Sequence, residues 1–456
     1  MISTKIKGVG IREELTYCEI DASTGLPTLP PDAEFEAVEF LDASQIVQIG
    51  DAMQSDGTGE RVGYTSTPPE VLHVGTGAVG DPVRLIRSGE ITIDAYFYAG
   101  WPFSGDHMGS GQLVQLLASV CGYETIGSEC NSEITGVTAS GEITIEDSTT
   151  PLGRGDVVRI YGPAGKSRNY YAIVTAKSSN TVTVVPPMTG TEISGDGSWT
   201  IMRVGGYGLT PITGDGETYT IRLYGDGWVE DCFGCVLTGL TLSLADDTRA
   251  VKASYTIRAS YVETHESTAQ IPLPTLARGG VCHMTGAPIM AESARPRGED
   301  GYNPLDPALS RTCVEDFELS IEWTVEAPSC GLNLIPYGRP MVTDAAVSVS
   351  YKIPYSAEAA VDLTRRYAQQ QVGALVFGMS SAGGRGGGRE DHAQGAAILI
   401  PDFAITTGVF ANLDEGKGYG RITIEGTLGS SAPTSALYSG QRYPVPLILA
   451  ASEETY

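Results

Sequence analysis

The residues best suited to chemistry are two cysteines in the stretch Cys232-Phe-Gly-Cys235. A Cys-x-x-Cys pair can bind zinc, but a structural zinc site normally needs a second pair with similar spacing, and the sequence has none. The chain has eight cysteines in 456 residues, which is too few for a disulfide scaffold. The cysteines could be buried thiols, form a disulfide late in an assembled particle or bind a metal. Of these alternatives, we do not predict the metal site.

Other catalytic signatures are missing from the sequence. The histidines are scattered and show no HExxH spacing; they are His73, His107, His265, His283 and His392. The glycine-rich segment 382–389 lacks the lysine of a phosphate-binding loop, so we interpret it as a surface loop. No GxSxG or dinucleotide-binding pattern occurs. We therefore predict no enzymatic activity and no cofactor, although a glycosidase-like pair among the 55 carboxylates stays open.

The overall charge limits the possible partners. Lys and Arg total 29 against 55 Asp and Glu, a formal net charge of −26. Such a surface repels phosphate, which argues against a protein that grips DNA but not against one that DNA slides past. The first residues lack the apolar core of a signal peptide, and no run approaches a membrane span. We expect a soluble protein made in a cytoplasm, with no membrane insertion.

Short alternating runs between Gly- and Pro-rich turns predict a mainly β fold. In the run 90–97, Ile91, Ile93, Ala95 and Phe97 share one face, while Glu90, Thr92 and Asp94 share the other. Runs at 240–244, 251–261, 317–326, 346–351, 397–400 and 421–425 alternate in the same way. This is typical of antiparallel sheets with one wet face.

Two helices mark an internal repeat of element order. An apolar stripe predicts a helix from Ser110 to Val120, and a second from Ala357 to about Gln371, capped by Ser356. In each half a strand leads to a helix and then to a strand pair. We predict two tandem β-sandwich or barrel domains, each flanked by a short helix: 1–132 with 206–268, and 313–456, joined by a linker at 269–312.

The first half holds extra strands that the second half lacks. Segment 133–205 has its own short runs at 142–145, 156–160, 171–174 and 181–185. A stretch of this size with Gly-, Pro- and Ser-rich turns predicts a small inserted all-β barrel or sandwich. Its place between scaffold elements suggests that it faces outward.

The stretch 234–244, a glycine-preceded alternating strand, is followed by a short turn and a second amphipathic strand at 251–257. This pattern, with the order strand, short helix and strand pair, resembles the major tail tube proteins of long-tailed siphophages. The resemblance implies a virion protein that forms stacked rings, here trimeric with pseudo-sixfold symmetry because the fold is doubled. It implies phage DNA and a tape measure protein in the lumen without sequence-specific binding. It also implies a tail terminator and distal tail proteins at the tube ends.

Acidic side chains on the alternating strands are the candidate site. In the run 317–326 the apolar residues alternate with acids and hydroxyls. With the run at 90–94, the candidates for the lumen are Glu90, Asp94, Glu318, Glu322 and Glu326. Like-charge repulsion would keep phosphates from adhering, so that the duplex slides. An ordinary solvated outer face is the alternative.

Two other classes of protein compete with the tube subunit. One is another virion β-protein, such as a terminator, a decoration protein or a baseplate component, although the doubled element order argues against a single-domain terminator. The other is a carbohydrate-binding adhesin, for which Tyr161, Tyr170 and Tyr171 of the insert offer an aromatic platform.

Overall fold

Alternating apolar residues give the chain a mainly β fold, as predicted. The computed structural model describes residues 6–21, 27–43, 47–48, 89–97, 113–124, 131–139, 141–153, 156–162, 169–185, 190, 193–203, 205–208, 216–244, 250–266, 282–284, 289–291, 309–311, 315–326, 339–368, 372–381, 395–408, 413–414, 420–428 and 448–452. The glycine-rich segment 382–389 and Cys130, Cys313 and Cys330 lie outside these residues.

The strands before the insert are β1 (Gly8–Glu13), β2 (Glu36–Ala37), β3 (Asp42–Ala43), β4 (Val47–Gln48), β5 (Gly89–Tyr96) and β6 (Gly122–Glu124). Those of the insert are β7 (Asn131–Val137), β8 (Glu142–Ile145), β9 (Val157–Tyr161), β10 (Asn169–Ser178), β11 (Thr181–Val185) and β12 (Trp199–Arg203). The first half ends with β13 (Gly205–Gly208), β14 (Tyr219–Tyr224), β15 (Trp228–Leu244), β16 (Val251–Ala259) and β17 (Tyr261–Glu266).

The second half contains β18 (Cys282–Met284), β19 (Ile289–Ala291), β20 (Leu309–Arg311), β21 (Asp316–Glu326), β22 (Met341–Pro354), β23 (Val372–Ser381), β24 (Gly395–Ile405), β25 (Leu413–Asp414), β26 (Arg421–Leu428) and β27 (Ile448–Ser452). Its helix is α1 (Ala357–Ala368). Short 3-10 helices lie at Tyr17–Glu19, Asp32–Glu34 and Leu113–Ser119.

The insert is a closed six-stranded barrel in the order β10-β11-β8-β7-β12-β9. Alternating residues fill it with a core separate from that of the rest of the chain, including Ile134, Ile143, Val158, Val182 and Ile201. Closure leaves the barrel no free strand edge. Strand β10 also approaches β23 of the second half.

The two halves share one pairing scheme. In the first half β5 pairs with β16, β16 with β15, and β15 with both β14 and β17. In the second half β22 pairs with β26, β26 with β24, and β24 with both β23 and β27. The repeat extends outward, because β3 and β4 flank β5 as β21 flanks β22. The repeated element order therefore corresponds to a repeated strand topology.

Among the described residues, the halves are joined strand to strand in two places. Strand β15 pairs with β21 over Gly239 to Ser243, and β13 pairs with β27 over Gly205 to Gly208. One large apolar core, which includes Ile91, Leu242, Leu319 and Ile424, continues across both halves.

The two helices differ in type. Helix α1 begins after Ser356, whose carbonyl accepts the Ala360 N–H at 2.9 Å; the predicted residues 369–371 lie outside the described part. Leu113–Ser119 is a 3-10 helix with all seven residues buried, so packing on every side replaces the predicted amphipathic stripe. Residues 110–112 of that prediction lie outside the described part.

A bulge in β15 explains why glycine stands between the two cysteines. The register shifts between Tyr219 and Ile221, which face Cys235 and Cys232, and Gly234 adopts φ +60°. A Cβ at Gly234 would lie 2.6 Å from Cys18 Sγ and 2.8 Å from Tyr17 Cε2. The glycine within this Cys-x-x-Cys pair is therefore required by the backbone path.

We expect Gly234→Ala to lower the free energy of unfolding by about 2 kcal/mol, because it adds both a steric overlap and an unfavourable backbone conformation. Urea unfolding measured by fluorescence checks this. Gly190→Ala is the matched control, since nothing lies within 4 Å of its added Cβ. Equal stability of the two variants would contradict the role of the bulge.

Candidate functional site

A polar sheet face runs across both halves of the chain. The strand order is β5-β16-β15-β21-β22-β26, and every neighbouring pair is antiparallel. On β21 the apolar residues Leu319 and Ile321 point to the core, while Glu318 and Glu322 are exposed. The same alternation holds on β5 and β16, so one face of the six strands is wet.

All five predicted acids lie on this polar face. Glu90 and Asp94 are exposed on β5, and Glu318, Glu322 and Glu326 are exposed on β21. The register connects them, because Glu318 stands opposite Ser243, Ser243 opposite Lys252, and Lys252 opposite Tyr96 on β5. The fold thus brings the acids of both halves to a single surface.

The face carries further charges that were not among the predicted site residues. The additional acids are Asp316, Asp344 and Glu425, and the bases are Lys252, Arg258, Lys352 and Arg421. Eight carboxylates against four bases leave an excess of four negative charges. Lys352 binds Asp316 at 2.9 Å, and Arg258 stands opposite Glu90. Alternation in each strand could have identified these residues, but only the pairing shows that they share one face.

A row of small polar side chains crosses the middle of the face. It begins at Asp94 on β5 and contains Ser254, Thr241, Ser320, Ser348 and Thr427. Ser254 donates to Asp94 at 2.5 Å, and the Thr241 and Ser320 hydroxyls are 3.4 Å apart. Beyond Asp94 the row therefore consists of small, uncharged side chains.

A buried ion pair supports the first half where β14 pairs with the first part of β15. Arg222 of β14 donates to both carboxylate oxygens of Asp231 on β15, at 2.5 and 2.9 Å. It also pairs with Asp32 and donates to the Pro30 carbonyl at 2.9 Å, and its guanidinium lies 4.2 Å from the centre of the Phe35 ring. These contacts fix the loop around Asp32 to the sheet.

A buried carboxylate holds the bulge of β15. Glu14 accepts the backbone N–H groups of Cys18 and Gly234 at 2.8 and 2.7 Å. It also accepts the hydroxyls of Thr218 and Thr220 at 2.7 and 2.9 Å. Burial outweighs these hydrogen bonds and raises the pKa of Glu14 above its usual value of 4.5.

The cysteines near the bulge are free, buried thiols. Cys232 and Cys235 lie in β15, and the Cys235 thiol donates to the Cys232 carbonyl at 3.2 Å. Burial raises the pKa of both thiols well above the usual range, which makes them poor nucleophiles and poor metal ligands. Within the described ranges no three His, Cys, Asp or Glu side chains are grouped so that they could hold a metal ion.

Comparison with known proteins identifies no family for this chain. No protein-family model matches the sequence, and no curated protein matches it. None of the helices in the described part of the chain combines the length and apolar character needed to cross a membrane.

Proposed function

We propose that this chain is the major tail tube subunit of a long-tailed phage, a structural virion protein that polymerises into stacked rings. The observation that carries the proposal is the continuous polar face, to which two repeats with the same strand pairing contribute adjacent strands. A doubled subunit suits a trimeric ring with pseudo-sixfold symmetry. In this role the protein has no catalytic activity.

The chemistry of the polar face supports a channel wall. Eight carboxylates and four bases give it a negative excess that repels phosphate, while the hydroxyl row offers no bulky contact. Phage DNA and a tape measure protein would pass this wall without sequence-specific binding. Tail terminator and distal tail proteins would then close the ends of the tube.

Electron microscopy of the purified protein tests the proposal. We expect negative-stain images of concentrated protein to show long tubes with a central bore. Discrete single rings would favour a terminator or another virion component, and compact monomers at high concentration would overturn the proposal.

Site-specific gold labelling tests the orientation of the polar face. Ser320→Cys places a thiol between Glu318 and Glu322, and we expect maleimide–gold on it to appear inside the bore. Val361→Cys on α1 is the matched control, because Val361 is 66% exposed while Ala360 and Leu363 of the same helix pack into the core behind the sheet. Gold from Ser320→Cys on the outer wall would show that the polar face is an ordinary solvated surface.

A further inference from the structure

Strand β27 lies in a slot whose two walls come from different halves of the chain. On one side it pairs with β13, from Gly205 opposite Ala451 to Gly208 opposite Ile448. On the other side it pairs with β24, from Gly395 opposite Ser452 to Leu399 opposite Ile448. Its backbone is therefore paired along both edges.

The walls of the slot select the type of strand that fits. In the paired register they consist of Gly205, Gly206, Tyr207 and Gly208 on β13, and of Gly395, Ala396, Ala397, Ile398 and Leu399 on β24. The register places Leu449 between Tyr207 and Ile398, which are 1% and 0% exposed. The slot therefore suits an extended peptide with an apolar residue opposite Tyr207 and Ile398.

The repeat shows that β27 is attached differently from its counterpart β17. Only Ser260 separates β17 from the end of β16 at Ala259. Residues 429–447, nineteen in number, separate β27 from the end of β26 at Leu428. A linker of that length spans up to roughly 60 Å when extended. A connection of this length is long enough for β27 to reach the slot of a neighbouring copy as well as its own.

We propose that the slot between β13 and β24 is a strand-acceptor site, and that residues 448–452 of a second copy occupy it when copies meet. The contacts are the same from either source, because the pairing uses backbone groups and the same five residues. Exchange of this strand would join neighbouring copies, because β27 of one copy would pair with β13 and β24 of the next. The inference does not depend on tube formation.

Mixed cysteine variants separate exchange from pairing within one chain. Ala397 and Ala450 are register partners, so cysteines at these positions are suited to a disulfide. We expect a mixture of Ala397→Cys protein and Ala450→Cys protein, combined at high concentration and oxidised with copper phenanthroline, to give a covalent dimer. Ala404→Cys replaces Ala397→Cys in the matched control, because it lies on the same strand far from Ala450 and should give no dimer.

The double variant Ala397→Cys/Ala450→Cys shows whether the register itself is right, because its disulfide can form within one chain. A disulfide in the double variant without a dimer in the mixture would overturn exchange between copies. No disulfide in either sample would overturn the slot. A dimer in the absence of tubes would count against the proposed function and leave the acceptor site standing.

Peptide complementation gives an independent measurement. A chain ending at residue 447 should bind a labelled peptide of residues 446–456, with a rise in fluorescence anisotropy and in Tm. The same peptide with Leu449→Asp should lose both effects. Equal binding of the two peptides would contradict the selection for an apolar residue between Tyr207 and Ile398.

Discussion

Asp231→Ala is expected to lower the free energy of unfolding by about 3–5 kcal/mol, because it leaves the buried Arg222 guanidinium without its bidentate partner. The side chains of Arg222 and Asp231 are 4% and 0% exposed, so water cannot replace the lost contacts without opening the sheet. Asp32 and the Pro30 carbonyl would still contact Arg222, which sets the lower end of the range. Urea unfolding at neutral pH measures the loss.

Asp226→Ala is the matched control for Asp231→Ala. Asp226 pairs with Lys7 at 3.2 Å, but their side chains are 54% and 42% exposed, so we expect a loss below about 1 kcal/mol. The double variant Arg222→Met/Asp231→Leu should regain much of the stability, because it leaves no unpaired buried charge. Equal losses for Asp231→Ala and Asp226→Ala would show that the ion pair is not an essential support.

Glu14→Gln is expected to lower the free energy of unfolding by about 3 kcal/mol. Each carboxylate oxygen of Glu14 accepts one backbone N–H and one hydroxyl. In glutamine one of these oxygens is replaced by an NH2 group, which cannot accept either hydrogen bond. The threonine hydroxyls can rotate, but the N–H of Cys18 or Gly234 cannot. Glu142→Gln makes the same change at an exposed position of β8 and should be nearly neutral. A neutral Glu14→Gln would mean that the bulge does not depend on the four contacts of Glu14.

The effect of Glu14 should depend on pH in a defined direction. Burial raises its folded-state pKa above 4.5, so the folded chain keeps the Glu14 proton over a pH range in which the unfolded chain has lost it. The contribution of Glu14 is therefore complete below pH 4.5 and declines as pH rises through the folded pKa. Unfolding curves of wild type and Glu14→Gln at several pH values should show that the difference in free energy of unfolding becomes smaller as the pH rises. A difference that grows with pH would contradict this.

Local alternation was enough to predict several strands and their wet sides. The runs Glu142–Ile145 and Thr181–Val185 are strands with those bounds, and the five acids chosen from alternation are all exposed on the polar face. Period-two patterns carry this information because each strand buries one side.

Contacts between distant parts of the chain could not be predicted in this way. Nothing in the pattern of β15 indicates β21 as its partner, nor does β13 indicate β27. The partners of Glu14 include Thr218 and Gly234, more than two hundred residues along the chain, and their number and distances depend on packing. The type of the helix at Leu113–Ser119 also depends on such contacts. It is buried on all sides, whereas its apolar stripe suggested an amphipathic helix with one exposed side.

The length of strand β15 has a mechanical consequence. Its first part, Trp228 to Phe233, lies between β14 and β17, and its last part, Gly239 to Ser243, lies between β16 and β21. Seventeen residues extend over roughly 55 Å, so one covalent backbone carries tension between these regions. We therefore expect bending of one sheet to be transmitted to the other along this backbone.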